Sequence, residues 1–503
     1  MLGGFLKNFF PGSNTGKQAS LNRFPYLGKY DETRPKEKRA ALCWAPGTNM
    51  YFTQNGEVKV CCHNMEFVAG KYPEQRLKEI WKSASAQLMR ADMKNYTLGK
   101  GCEICKMDLE SGAFEEVRAR HFDHIPIHPE YPTQMEFLLT NTCNLECVMC
   151  VGKFSSSIRK NVENLPPIPY VYDDAFLEEL EEFIPYLKET RFSGSGEAFL
   201  IDANYQIWEK LVRLNPNCKI MVQTNGTVLN NRVKEILEKG NFHIGVSLDS
   251  LKKEVFEGIR PNAKFERVLE HIEFFAEYCR QGNRKFNIST CVMRQNWKEM
   301  PDFVKFSNGL GAVQTFHKVW NPRKFALNNL SSQDLDAIYS YLGQYDFETN
   351  THLQALNRNH YHYFKNVVGD WKSEAIRREK ELQHISDRGI ENVVKEWWDE
   401  KKMEELEAGV NTDEGFDALK TVIYNRIHFY LVENQNDMEG NVEPRYHQIV
   451  SKIDSFLGYL PLKSLKEMAL KEMVRVEIKF VVDAFGNHST IELLKMAKDH
   501  LHF

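Results

Sequence analysis

The sequence predicts an α/β fold: a partial (βα)6 TIM-like barrel, preceded by a small Cys-rich domain and followed by a mainly α-helical C-terminal region. Three observations carry that expectation. Strand and helix patterns alternate between residues 134 and 320, five cysteines crowd residues 35 to 110, and the remainder reads as charged, amphipathic helix. A chain of 503 residues exceeds one compact unit, and such lengths usually divide into about two to four domains. The expected division is a tail at 1–34, a cysteine-rich domain at 35–125, the barrel at 130–325 and a helical region at 326–503.

The opening MLGGFLKNFFPGSNTGK is briefly apolar but has no basic leader or clear cleavage site, so it reads as a frayed or docking terminus. Apolar content of 42% and charged content of 27% are those of an ordinary globular chain. The formal charge of −4 leaves no electrostatic footprint for nucleic acid, and no apolar run approaches the roughly 18 residues of a membrane span. Eight of the eleven cysteines lie between Cys43 and Cys150 and none follows Cys291. That clustering fits metal or cluster ligation in a reducing cytoplasm better than a disulfide framework.

The barrel strands are expected at Met135–Thr140, Arg191–Ser193, Lys219–Gln223, His243–Leu248, Phe286–Val292 and Val313–Val319. Between the first two, Phe176, Leu177, Leu180, Phe183, Ile184 and Leu187 form the stripe of a helix lying on a sheet, with Asp173 or Asp174 as its cap. Phe265, Val268, Leu269, Ile272, Phe275 and Ala276 repeat the stripe before the fifth strand. Repeated βα units imply a parallel sheet with helices outside it, and six are too few to close an eight-fold barrel. In the C-terminal region, Arg377 to Gly409 reads as a long charged helix containing Trp397 and Trp398. Val474, Val476, Ile478 and Phe480 alternate like a strand, and Ser489 to Glu492 resembles a capping box. His360 and His362 do not share a helical face and read as ordinary histidines.

The run TNTCNLECVMC places Cys143, Cys147 and Cys150 in a C-x3-C-x2-C spacing directly after the first barrel strand. Sites of such folds form at the carboxyl ends of the strands. Three thiolates here would ligate three irons of a 4Fe–4S cube and leave the fourth open. Two other readings stand beside it: a buried stripe of small apolar residues at i, i+4 and i+7, and a structural zinc site lacking a nearby fourth ligand.

This loop, with the βα pattern behind it, resembles the radical S-adenosylmethionine (SAM) superfamily over roughly residues 130 to 320. Ser195-Gly196-Glu197 in SGSGEAF is similar to that superfamily's Gly-Gly-Glu element, with serine replacing the first glycine and Ala198 a common proline. Thr224 and Asn225 in QTNG, Ser247 and Asp249 in SLD, and Arg260 in EGIRPN resemble stretches that line the SAM pocket. Met149 takes a usually aromatic position beside the adenine. The resemblance implies reductive cleavage of SAM at a 4Fe–4S cluster, and hydrogen abstraction from substrate by the 5′-deoxyadenosyl radical. It also implies a one-electron reductant such as ferredoxin or flavodoxin.

Cys43, Cys61, Cys102 and Cys105, with Gly56 in the hairpin-like FTQNGEVKVCC, resemble the SPASM auxiliary-cluster domain in its twitch form, here ahead of the barrel. The resemblance implies a second, auxiliary 4Fe–4S cluster on these four thiolates, with Cys62 as the spare. Four thiolates also suit zinc. Cys218 and Cys291 are candidate hydrogen donors, and each also reads as a core cysteine. The expected substrate is a peptide or protein; a small metabolite or sugar-type precursor is the alternative, and a non-catalytic cluster- or zinc-binding protein the third.

Overall fold

The computed structural model describes residues 14–388 and 414–500, apart from 65, 100, 434–441, 461–462 and 477. Most of the apolar start, residues 1–13, lies outside the described residues, which open with the helix Asn14–Arg23. The chain divides into two compact units after Lys372.

The first unit is built on one nine-stranded sheet. Its strands are β1 (Asn49–Phe52), β2 (Glu57–Lys59), β3 (Gly70–Lys71), β4 (Gln134–Phe137), β5 (Glu189–Phe192), β6 (Lys219–Thr224), β7 (Phe242–Ser247), β8 (Phe286–Val292) and β9 (Val313–Lys318). The spatial order is β3-β2-β1-β4-β5-β6-β7-β8-β9. From β4 to β9 every pairing is parallel, so the six expected barrel strands form the expected partial barrel. Helices Asp174–Phe183, Asp202–Leu214, Asn231–Lys239, Phe265–Gln281 and Met300–Leu310 supply the crossovers. Asp173 caps the first of these by accepting from Phe176 N at 3.1 Å.

The cysteine-rich segment is continuous with this sheet. β1 and β2 form an antiparallel hairpin, and β1 also runs parallel to β4 in the register Phe52↔Phe137. Phe192 of β5 stands opposite Phe137. The three rings stack with centroids 5.3 and 5.0 Å apart, and Trp208 meets Phe192 edge-on at 5.3 Å. A shift of one residue would turn each ring to the other face, so this ladder fixes the register. Gly56 closes the hairpin at φ +84°, where a Cβ would lie 2.1 Å from the Tyr72 carbonyl oxygen.

The compact unit runs past residue 325, where the sequence places the boundary, to Lys372. Asn357 on the helix His352–Arg388 accepts from Gln314 N at 2.8 Å, and His360 Nδ1 meets Gln314 O at 2.7 Å. These bonds cover edge strand β9. His362 meets Asp346 at 3.3 Å, so the two histidines serve separate structural contacts. The expected helix Arg377–Gly409 is helical as far as Arg388, and its remainder, with Trp397 and Trp398, lies outside the described residues.

The second unit packs helices Glu414–Glu433, Val442–Tyr459, Lys463–Arg475, Ile478–Asn487 and Thr490–His500 around Ile427, Ile453, Phe456, Leu470 and Phe485. The strand expected at Val474–Phe480 is replaced by the end of one helix and the start of the next. Four alternating residues are outweighed by Val481, Val482 and Phe485, which bury one helical face. The capping box forms: Glu492 N donates to Ser489 Oγ at 3.3 Å and Ser489 N to Glu492 Oε2 at 2.9 Å.

Phe52 is fully buried at the junction of hairpin and barrel. Phe52→Ala should lower stability by about 3–5 kcal/mol, read as a fall in the urea midpoint.

Candidate functional site

Cys143, Cys147 and Cys150 lie on an irregular loop beyond the carboxyl end of β4, not on a helix. The loop is stitched from within. Asn141 Nδ2 donates to Gly152 O at 2.8 Å, Ser156 N to Asn141 O at 2.7 Å, and Ser155 Oγ to Leu145 O at 2.8 Å. Burial pushes the Cys147 thiol up to about 11 and Cys150 to about 12, and raises Cys143. As bare thiols they stay protonated at neutral pH, and a positive metal centre is what would hold them as thiolates.

The Gly-rich turn after β5 leans on this loop. Gly196 N donates to Phe154 O at 2.9 Å and Glu197 N to Thr142 O at 2.7 Å. Gly196 sits at φ +66°, and a Cβ there would lie 2.6 Å from the Thr142 carbonyl oxygen. Ser195 donates to Thr140 O at 3.0 Å and accepts from Gln54 of the N-terminal hairpin. Glu197 is buried and ties the ends of β5 and β6 together. Its carboxylate accepts from Thr224 Oγ1 and from Asn225 N, each at 2.6 Å. Burial raises its pKa against the pull of these bonds. Asn225 Nδ2 reaches Cys143 Sγ at 4.0 Å and donates to Asn144 Oδ1 at 3.0 Å.

Beyond β7, Asp249 is wholly buried and accepts from Arg260 Nε at 2.7 Å and from Cys291 N at 2.8 Å. Arg260 Nη1 in turn points at Cys147 Sγ, 3.7 Å away. Burial opposes the guanidinium charge, and Asp249 with the neighbouring thiols more than restores it. Met149 and Cys291 pack half-buried beside Ile259 and Met293. Ser247, on the inner face of β7, accepts from Gln223 Nε2 at 2.9 Å. The sequence-predicted residues therefore gather at the carboxyl ends of β4 to β8.

The four N-terminal thiols form a second set. Cys43, Cys61, Cys102 and Cys105 line one cavity of about 30 Å³ together with Leu42, Met89 and Phe122. Two of the sulfurs receive N–H donors: Cys43 from Ala45 N and Cys102 from Asn64 Nδ2, each at 3.4 Å. Burial pushes Cys61 up to about 12 and Cys105 to about 11. The donor set fits a closed cluster. Cys62 is not among the side chains that line the cavity, and it feels the charges of Arg118, Glu136 and Arg191. Asn64, Gln54 and Arg118 escape a reading of the sequence, since nothing in their immediate neighbours marks them.

Because β2 runs back antiparallel to β1, Cys61 falls beside the amino end of β1, as does Cys43, two residues ahead of the turn leading into that strand. Cys143 follows the carboxyl end of β4, which is parallel to β1. The two thiol sets thus flank opposite ends of the same strands, and a four-residue strand spans roughly 13 Å.

Between them lies a polar inner face. Strands β5, β6 and β8 alternate buried residues facing the helices with half-exposed ones facing inward. The inward side chains form a hydrogen-bonded chain. Gln223 meets Ser247 and Ser289 (3.4 Å), Asn287 donates to Ser289 at 2.7 Å, Ser289 meets Thr315 at 3.3 Å, and Thr315 meets His317 at 3.4 Å. Cys218, in contrast, is buried in the apolar core among the helix-facing side chains.

Residues 137–307 match the radical SAM superfamily model, and residues 43–106 match the SPASM iron-sulfur cluster-binding domain. A GTP 3′,8-cyclase of Clostridium perfringens (strain SM101 / Type A) is 26% identical over 189 residues, which is 35% of this chain and 53% of its own. An AdoMet-dependent heme synthase of Methanosarcina barkeri is 26% identical over 250 residues, 49% of this chain and 67% of its own. Among solved structures, Streptococcus suis SuiB bound to precursor peptide SuiA aligns with a TM-score of 0.32 and 13% identity, covering 54% of this chain and 61% of that one. The chain spans about half the length of the cyclases it matches. Residues 137–307 are thus a radical SAM domain, and residues 43–106 a SPASM domain placed ahead of it. The chain's cofactors are accordingly a SAM-binding 4Fe–4S cluster, SAM, and an auxiliary 4Fe–4S cluster.

The Gly196 backbone allows no side chain. Gly196→Ala should cost about 1–3 kcal/mol from the left-handed φ and the displaced Thr142 carbonyl. The expected outcome is a lower melting temperature together with a reduced iron content after anaerobic reconstitution.

Proposed function

We propose that Cys143, Cys147 and Cys150 hold the SAM-binding cluster, that Cys43, Cys61, Cys102 and Cys105 hold the auxiliary one, and that the chain modifies a peptide or protein segment. The observation that carries this reading is the three-thiol loop at the strand ends, stitched to Glu197, Asn225 and Arg260. When bound, the cluster and SAM supply a 5′-deoxyadenosyl radical that abstracts hydrogen from an unactivated C–H bond. The protein's own task is to hold and to shield.

Glu197 fixes Thr224 and Asn225, so the pocket for the methionine end of SAM is set before binding. The turn Ser195-Gly196-Glu197 supplies the backbone groups closest to the thiol loop. Met149 and its apolar neighbours exclude water on the adenine side. Ser247 stands on the inner face, within reach of a ribose. The auxiliary site, at the other end of the strands, is suited to exchange an electron with a substrate lying in the lumen. A one-electron reductant is the partner this chemistry requires. Eleven free thiols suit a reducing cytoplasm, and among the described residues no helix is long and apolar enough to cross a membrane.

The inner face supports a polar, uncharged substrate. Gln223, Ser247, Asn287, Ser289 and Thr315 offer amide and hydroxyl groups that match peptide N–H and C=O without demanding a charge. The same groups suit a hydroxyl-rich small metabolite, which is the second reading.

Anaerobic reconstitution should yield about eight irons per chain. Replacing Cys143, Cys147 and Cys150 together with alanine should leave about four and abolish 5′-deoxyadenosine release from dithionite-reduced enzyme and SAM; release undiminished by that change would exclude the assignment. Cys61→Ala should lose the auxiliary irons, whereas Cys62→Ala should keep the full complement, as measured by iron and sulfide assay.

A further inference from the structure

Arg260 is placed against Cys147 by the backbone itself. Val148 N donates to Ile259 O at 3.0 Å, and Glu146 N donates to Pro261 O at 3.4 Å. These two bonds bracket Cys147 on one strand of chain and Arg260 on the other, so the two residues face each other in fixed register. From there the guanidinium makes two contacts: Nε to Asp249 Oδ2 at 2.7 Å and Nη1 to Cys147 Sγ at 3.7 Å. Asp249 is held in turn by Cys291 N at 2.8 Å, and Asn296 Nδ2 donates to the Asp249 carbonyl at 2.6 Å. Both charged side chains are buried, Arg260 to 8% exposure and Asp249 to 0%. Neither has room to swing toward a ligand without breaking the pair.

We propose that Arg260 and Asp249 are a positioning pair that sets the reduction potential of the SAM-binding cluster through the Cys147 sulfur, a role that rests on Cys147 being one of its ligands. Hydrogen bonds to cluster sulfurs and the net charge around them are the means by which a protein tunes such potentials. Reduction brings one electron from the reductant protein onto the cluster and adds one negative charge there. A cation held at a ligand sulfur favours the reduced form; the carboxylate behind it takes back part of that field. In this low-dielectric setting neither effect is screened by salt or water. Because the donor is a guanidinium, its contact with Cys147 is charge-assisted.

The pair makes opposite predictions for its two members. The test is an EPR-monitored redox titration of the full, anaerobically reconstituted chain, following the reduced-cluster signal that changes when SAM is added. Arg260→Met should lower the midpoint, Asp249→Asn should raise it, and the double variant should fall between them. Arg260→Lys keeps the charge and should hold the midpoint near that of the unaltered chain, and the rise expected for Asp249→Asn carries the test if Arg260→Met does not fold. Iron-loaded Arg260→Met or Asp249→Asn with the midpoint of the unaltered chain, or midpoints that move in one direction for both, would overturn the inference while leaving the proposed function standing. A SAM-responsive signal absent from the unaltered chain would instead remove the proposed function, and this inference with it.

Discussion

The parallel pairing of β1 with β4 is the constraint on which the arrangement depends. Among the described residues it is the one seam between the cysteine-rich segment and the barrel that is built from backbone hydrogen bonds, and Phe52, Phe137 and Phe192 lock its register by stacking. Because side chains alternate along a strand, a slip of one residue would exchange the faces of Phe52 and its buried neighbour Tyr51 and break the ring stack. The same slip would move Cys43 and Cys61, which sit just outside the hairpin strands, relative to the loop that follows β4. Packing of three rings thus sets where two groups of thiols lie with respect to each other. Gln54 adds a second tie from the hairpin, reaching both Lys153 O at 2.9 Å and Ser195.

At the other end of the strands, the fold accepts buried charge to gain a fixed loop. Glu197 and Asp249 are carboxylates with almost no exposure. Leaving either unpaired would cost roughly 3–5 kcal/mol. Instead, each bonds to groups on a different strand end: Glu197 to Thr224 and Asn225, Asp249 to Arg260 and the Cys291 backbone. The carboxylates act as clamps between neighbouring βα loops, and an irregular stretch carrying three cysteines needs such clamps because it has no secondary structure of its own.

Much of this was legible in the chain itself. The six strands, their order and the C-x3-C-x2-C loop after the first all appear in the structure, since parallel strands buried on the helix side write long apolar patterns. Other features were hidden for specific reasons. Cys61 and Cys62 are adjacent, and which one faces the cavity depends on the hairpin register, a long-range fact. The alternation from Val474 to Phe480 mimics a strand over four residues, but the helical stripe that follows it is stronger. The extension of the first unit to Lys372 rests on Asn357 and His360 finding Gln314, a polar contact that no periodicity announces. The β1–β4 pairing joins segments more than eighty residues apart, with nothing local to mark it.

The inner face of the sheet brings these threads together. A barrel of this kind normally fills its interior with branched apolar side chains, yet here β6 to β9 present Gln223, Ser247, Asn287, Ser289, Thr315 and His317 inward as one hydrogen-bonded chain. Such a network gains nothing from apolar packing, and its half-exposed groups remain open to water. It makes sense as a surface meant to exchange those waters for the amides or hydroxyls of a ligand. On the floor beside it, Arg118, Glu136 and Arg191 gather around Cys62, so the uncharged network lies between that charged group and the Glu197, Asp249 and Arg260 charges beyond the strand ends. The shared sheet holds the distance between the two thiol sets constant along that face.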